Sequence, residues 1–183
     1  MRPSAAVSSL LVGGLFTLVG CSGSTTSQPD NPPEPTAAIA GAAATVMEVV
    51  DGDTVVVQVA GQTERVRLIG IDTPEATGGF LPAECYGDEA TAFTSALLPV
   101  GTEVRLTRDT EARDRYDRLL AYVYRSVDGL FANLEIAVQG YAEALVIEPN
   151  TTHASAFYAA AGQARDQGLG LWGHCGSADE VLQ

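Results

Sequence analysis

Two runs rich in β-branched residues, Val46 to Val50 and Thr54 to Ala60, are joined by Asp51-Gly52-Asp53. No other feature narrows the fold of this chain as much. Asp-Gly between two such runs is a strong hairpin signal. A further run, Thr63 to Ile71, follows the turn at Gly61 and reads as a third strand. Glu103–Arg108 and Leu119–Arg125 alternate again as strands.

Between these strands the period lengthens. Tyr86, Ala90, Phe93 and Leu97 recur at helical spacing, so Glu84–Leu98 is predicted to be a helix. Thr152–Gln167 is a second long helix, with Phe157, Ala160, Ala161 and Ala164 inward and Gly168 stopping it. Asn133 is expected to cap a short helix that ends at Gly140. Strands with interposed helices make an α+β class, and strands this short fit a small closed barrel.

The chain has 183 residues, room for one ordinary domain with extensions. Val7 to Val19 is apolar behind Arg2, too short for a span of about 20 residues, and fits the core of a signal peptide. It ends in Leu18-Val19-Gly20-Cys21, which is similar to a bacterial lipobox with Cys21 as the lipidated residue. The plain alternative is a secretory signal with an incidental cysteine. Behind it come Ser, Thr and Pro without apolar period, a composition that forbids regular helix or sheet. The expected division is a signal peptide over 1–20, a lipidated tether over 21–42, a folded domain over 43–176 and a tail over 177–183. Such a protein is expected in the cell envelope, anchored by lipid on the outer face of the cell membrane, with release to the exterior as the alternative.

With Cys21 lipidated, Cys85 and Cys175 remain, and export favours a disulfide between them. The rival is a metal site that adds His174, but two cysteines and one histidine fall short of a closed zinc set. His174 then reads as a solvated side chain.

The net charge is −13, and all ten basic residues are arginine. Bulk charge therefore argues against coating a long polyanion, which usually takes a basic footprint. Placement argues the other way, because Arg105, Arg108, Arg113, Arg115, Arg118 and Arg125 fall in one short stretch. Acidic bulk with local arginine suits a site that grips a few phosphates.

Three motifs carry the chemistry. Asp51-Gly52-Asp53-Thr54 alone is first of all a turn, although Asp51 and Asp53 share one face of an extended chain. Asp72-Thr73-Pro74-Glu75 places a second acidic cluster one strand further on, and Pro74 pushes Thr73 toward an extended conformation. Arg67 and Asp72 would fall on opposite faces of a regular strand, so Gly70 is expected to form a bulge that brings both to one site. Asp114-Arg115-Tyr116-Asp117-Arg118 precedes an apolar strand, and arginine there suits phosphate because its planar fork binds two oxygens at once.

From about Thr45 to Trp172, the order and spacing of these motifs resemble the thermonuclease family, the homologues of staphylococcal nuclease. The resemblance implies a five-stranded OB-fold barrel with three helices. It implies Ca2+ as cofactor, held by the carboxylates of Asp53 and Asp72 and the carbonyl of Thr73, with Asp51 as an outer acid. Glu75 corresponds to the residue beside the attacking water, Arg67 and Arg118 to the phosphate clamp, and Arg115 and Tyr116 to contacts with a terminal phosphate. The implied activity is hydrolysis of DNA or RNA to 3′-phosphate ends. Two positions depart from the pattern. Asp117 replaces the usual glycine and sets an acid close to an anionic substrate, and Leu145 replaces an aromatic that packs on the nucleotide. The alternative is a non-catalytic lipoprotein of the same fold that binds nucleic acid, since such barrels commonly bind single strands. No protein partner is implied and a monomer is expected.

Overall fold

The computed structural model describes residues 41–79, 81–175 and 180–182. The expected signal peptide, Cys21 and nearly all of the tether lie outside these residues, as does part of the tail. In chain order the elements are β1 (Ala42–Val49), β2 (Thr54–Val59), β3 (Gln62–Leu68), β4 (Gly70–Asp72), α1 (Gly87–Leu97), β5 (Glu103–Thr107), β6 (Leu119–Arg125), α2 (Ala132–Val138), β7 (Glu143–Leu145), α3 (Ala154–Asp166) and α4 (Leu171–His174). Among the described residues, five strands close a barrel in the order β1-β2-β3-β6-β5. Within this barrel of described residues, only β3 and β6 pair in parallel. The small α+β barrel expected from the strand lengths is what forms.

Alternation explains the closure. Val46, Val55, Val57, Val66, Leu68, Val104 and Val123 are buried; on β3 Arg65 and Arg67 alternate with Val66 and Leu68, and on β2 half-buried Val56 separates Val55 from Val57. Strand β6 buries four consecutive residues, Leu120 to Val123, because both of its faces are covered. Its Tyr122 faces the helical side, stacked on Phe157 of α3 and edge-on to Phe131 and His153. Phe157, Ala160, Ala161 and Ala164 form the buried face of α3, as their spacing predicts.

The expected third strand, Thr63 to Ile71, is not continuous. It breaks at Ile69, and β4 leaves the barrel to pair antiparallel with β7 in a separate two-stranded sheet. Gly70 sits at φ +91, and a Cβ there would lie 2.2 Å from Phe157 Cε2. Left-handed backbone and close packing both demand glycine at this position. The expected bulge is therefore a change of sheet.

Asn133 is also not a cap. Phe131 occupies the N-cap of α2, and Asn133 lies buried in the first turn. Its Oδ1 accepts the Val123 N–H at 2.9 Å, while Nδ2 donates to Ile69 O at 2.9 Å and Ala121 O at 3.1 Å. It satisfies the carbonyl exposed by the strand break, a group that would be costly to bury unpaired. Cys85 and Cys175 are joined in a disulfide, Cα to Cα 5.9 Å. His174 is exposed, with Nδ1 2.8 Å from Gly170 O.

Candidate active site

The turn between β1 and β2 is held from three directions. Val50 N–H and Asp51 N–H donate to Thr54 O, and Asp53 N–H donates to Asp51 Oδ1 at 3.1 Å. Thr94 of α1 donates its hydroxyl to Gly52 O at 2.6 Å. A Cβ on Gly52 would lie 2.6 Å from Thr73 Oγ1, so only glycine lets the turn close on Thr73. Asp53 is thereby buried, and its Oδ2 accepts the Thr73 N–H at 3.1 Å and hydroxyl at 3.3 Å.

Arg67 fills the gap where β3 breaks from β4. Its Nη1 donates to Leu68 O at 2.8 Å and Ile71 O at 2.9 Å, one carbonyl on each side of the break. Its Nη2 lies 2.9 Å from Asp53 Oδ2 and 2.6 Å from Asp72 Oδ1. One cationic nitrogen thus joins acids contributed by two different motifs. The change of sheet at Gly70 is what puts Arg67 and Asp72 within reach.

The acids perturb one another. Burial pushes the Asp53 carboxyl up to about 7, Asp51 and Asp72 add to the rise, and Arg67 and the Thr73 N–H oppose it. Half-buried Glu75 is raised above the usual carboxylate range by burial and by the charges of Asp51, Glu84 and Asp72, against Arg67. A raised carboxyl is better matched to taking a proton near neutral pH.

Arg67 also lines a cleft of about 490 Å³, together with Arg115, Tyr116 and Arg118, and on its apolar side Leu145 and Ile147. Asp114 organises the arginine loop. Its Oδ2 accepts from Arg118 Nε at 2.7 Å, and its Oδ1 accepts the backbone N–H of Tyr116 and Arg118. Burial alone would raise Asp114, but these hydrogen bonds and the Arg118 charge hold it below its usual range, so it stays ionised and keeps Arg118 aimed. Arg115 Nη2 donates to Tyr116 OH at 2.6 Å, and its guanidinium lies 4.7 Å from the ring centre.

The residues singled out in the sequence thus fall into two adjoining groups. Asp51, Asp53, Asp72, Thr73 and Arg67 form one bonded cluster. Arg67, Arg115, Tyr116 and Arg118 share one cleft, with Glu75 within the electrostatic reach of the cluster. Cys85 and Cys175 do not line the cleft. Asp117 does not line it either: its carboxylate is exposed and 3.5 Å from Arg113 Nη1. Its departure from glycine shows instead in the backbone, at φ 64. Asp114, Ile147 and Asn150 carry roles the sequence reading did not assign. Asn150 is buried and clamps the Glu111 backbone through both ends of its amide, accepting at 2.7 Å and donating at 3.2 Å. Its place after Pro149 marks only a turn, and no local pattern points to Glu111.

The donor set suits a hard cation. Asp53 and Asp72 offer oxygen only, already share one cationic centre, and include a buried carboxylate crowded by like charge. Among the described residues no three acidic, histidine or cysteine side chains form a ready metal cluster. A cation here would be held by two carboxylates, completed by backbone oxygen and water.

The family model described as staphylococcal nuclease homologue matches residues 65–174. A thermonuclease of Staphylococcus intermedius is 40% identical over 127 residues, covering 69% of this chain and 74% of that protein. A thermonuclease of Staphylococcus hyicus is 36% identical over 127 residues, covering 69% and 73%. Endonuclease YncB of Bacillus subtilis (strain 168) is 34% identical over 134 residues, covering 72% and 62%.

Proposed function

Because the chain belongs to the staphylococcal nuclease homologues, we propose that its acid cluster and arginine cleft cleave phosphodiester bonds with Ca2+ as cofactor. It is a nuclease, a phosphodiester hydrolase. The observation that carries the mechanism is Arg67, whose guanidinium touches both acids and lines the arginine cleft. Asp53, Asp72 and the Thr73 carbonyl would hold the cation, with Asp51 behind them. Bound there, Ca2+ would supply positive charge to offset that of the reacting phosphate.

The chain's own residues do the rest. Glu75 orients the attacking water and takes its proton. Arg67 and Arg118 bind the non-bridging oxygens, where charge grows as the pentavalent state forms, so they favour that state over the ground state. Arg115 and Tyr116 hold a neighbouring phosphate. Cleavage of the bond to the 5′ oxygen leaves a 3′-phosphate on DNA or RNA. Incubating the purified protein with end-labelled single-stranded DNA or RNA, in Ca2+ or in chelator, tests this. Cleavage in Ca2+ alone supports it; no cleavage of either strand in Ca2+ overturns it.

The rise of Asp53 to about 7 gives the cofactor reading a pH signature. The folded carboxyl takes its proton at higher pH than the unfolded one, whose reference value is 3.8. Its contribution to the metal-free fold is therefore complete below the unfolded value and is lost as pH rises through about 7. Cation binding needs the ionised form, so Ca2+ affinity should fall about tenfold per unit as pH drops below that point. Calorimetry in two buffers of different ionisation enthalpy should show about one proton released per ion near pH 6. Affinity unchanged between pH 5.5 and 7.5 would contradict this.

We also propose that the chain is exported and anchored through a lipid on Cys21, supported by the apolar run and Leu18-Val19-Gly20-Cys21. Two acyl chains suffice for stable anchoring. Cys21→Ser should move the protein from the membrane fraction to the soluble one; equal membrane retention would rule the anchor out.

A further inference from the structure

Glu75 is gripped by one short stretch at the start of α1. Glu84 N–H donates to Glu75 O at 2.9 Å, and Glu84 Oε2 accepts the Glu75 N–H at 2.9 Å. Both backbone groups of Glu75 are thus held by one residue. Gly87 lets the helix start press against them, since a Cβ there would lie 2.0 Å from Glu75 O. Just beyond, Asp88 accepts both the N–H and the hydroxyl of Thr77.

The gripping stretch is itself tied down on its far side. Cys85, next to Glu84, is bonded to Cys175. Cys85 N–H donates to Glu180 O at 2.7 Å, and Leu182 N–H donates to Ala83 O at 2.9 Å. Tyr86 stacks between Tyr141 and His174, the neighbour of Cys175. A carboxylate side chain that accepts from one backbone group while its own N–H serves the other fixes the position and the tilt of that peptide. None of these contacts touches the cation acids or the arginine cleft.

We infer that Glu84 is the positioning residue for Glu75, a two-point backbone clamp that the Cys85–Cys175 bond anchors to the C-terminal segment. The inference rests on the assignment of Glu75 to the attacking water. Holding a reacting group in place acts on the chemical step and leaves substrate binding nearly alone.

The test uses the intact, disulfide-bonded protein with Ca2+ and a single-stranded oligodeoxynucleotide. Glu84→Ala should lower kcat roughly 10- to 100-fold with KM nearly unchanged. Glu84→Gln keeps an acceptor oxygen and should restore kcat to within a few-fold. Amide exchange by NMR should show the Glu75 N–H losing protection in Glu84→Ala while Val57 and Val123 in the barrel keep theirs. Gly87→Ala perturbs the same contact independently. It needs no unusual φ and improves helix propensity, yet it should lower kcat by displacing Glu75. Full kcat in Glu84→Ala, or Glu84→Gln as impaired as Glu84→Ala, overturns the clamp. If Glu75→Gln abolishes cleavage while Glu84→Ala does not, the inference fails alone. If Glu75→Gln cleaves like the parent, the role of Glu75 fails and the clamp's catalytic role with it.

Discussion

Arg118→Ala should lower kcat by roughly 100- to 1,000-fold, the range seen when one preorganised donor is removed from a developing charge. Arg118 commits its Nε and backbone N–H to Asp114, which is held ionised, and lines the cleft. That arrangement fixes the guanidinium before substrate arrives, so little reorganisation is needed as charge develops. Lysine cannot reproduce it, because it offers one point charge and no planar fork to be steered by Asp114. Arg118→Lys should therefore recover only a small part of the loss. Single-turnover cleavage at saturating substrate and Ca2+ isolates the chemical step. A rate within threefold of the parent in Arg118→Ala would remove this residue from the mechanism.

The second large effect is on stability. The Cys85–Cys175 bond closes a loop with a sequence separation of 90. In the chain-entropy model a loop of that size is worth about 4–5 kcal/mol. The hydrogen bonds from Cys85 N–H to Glu180 and from Leu182 N–H to Ala83 act in the same region, but each contributes only about 1 kcal/mol net. They cannot replace the covalent closure. Replacing both cysteines by serine should lower Tm by roughly 10–20 °C for a domain of this size. Calorimetry of the non-reduced parent and the double variant would measure it. A shift below about 3 °C would mean that the bond holds a segment whose release hardly matters to the barrel.

Much of the molecule was written locally. The β-branched runs around Asp51-Gly52-Asp53 made the first hairpin legible, because alternation states which face of a strand is apolar whatever it packs against. The spacing of Phe157, Ala160, Ala161 and Ala164 did the same for α3. The acids and arginines were legible as residue types in motifs. Their roles came from the resemblance and not from period or spacing.

What the tertiary structure decided were the partners. Leu68-Ile69-Gly70-Ile71 reads as one strand with a bulge at Gly70, and nothing local says that the chain changes sheet there. Gly70 can bend because Phe157 leaves no room for a side chain, and β4 is kept by pairing with β7, too short to announce itself by period. The freed Ile69 carbonyl is satisfied by Asn133, 64 residues away, which local rules assigned to a cap. Arg67 meets Asp72 only through that break, and Glu84 reaches Glu75 only because Gly87 lets α1 start against it. Periodicity records which side of an element avoids water. Which buried polar group meets which is set by closing every backbone donor and acceptor at once, and that is a property of the packed chain.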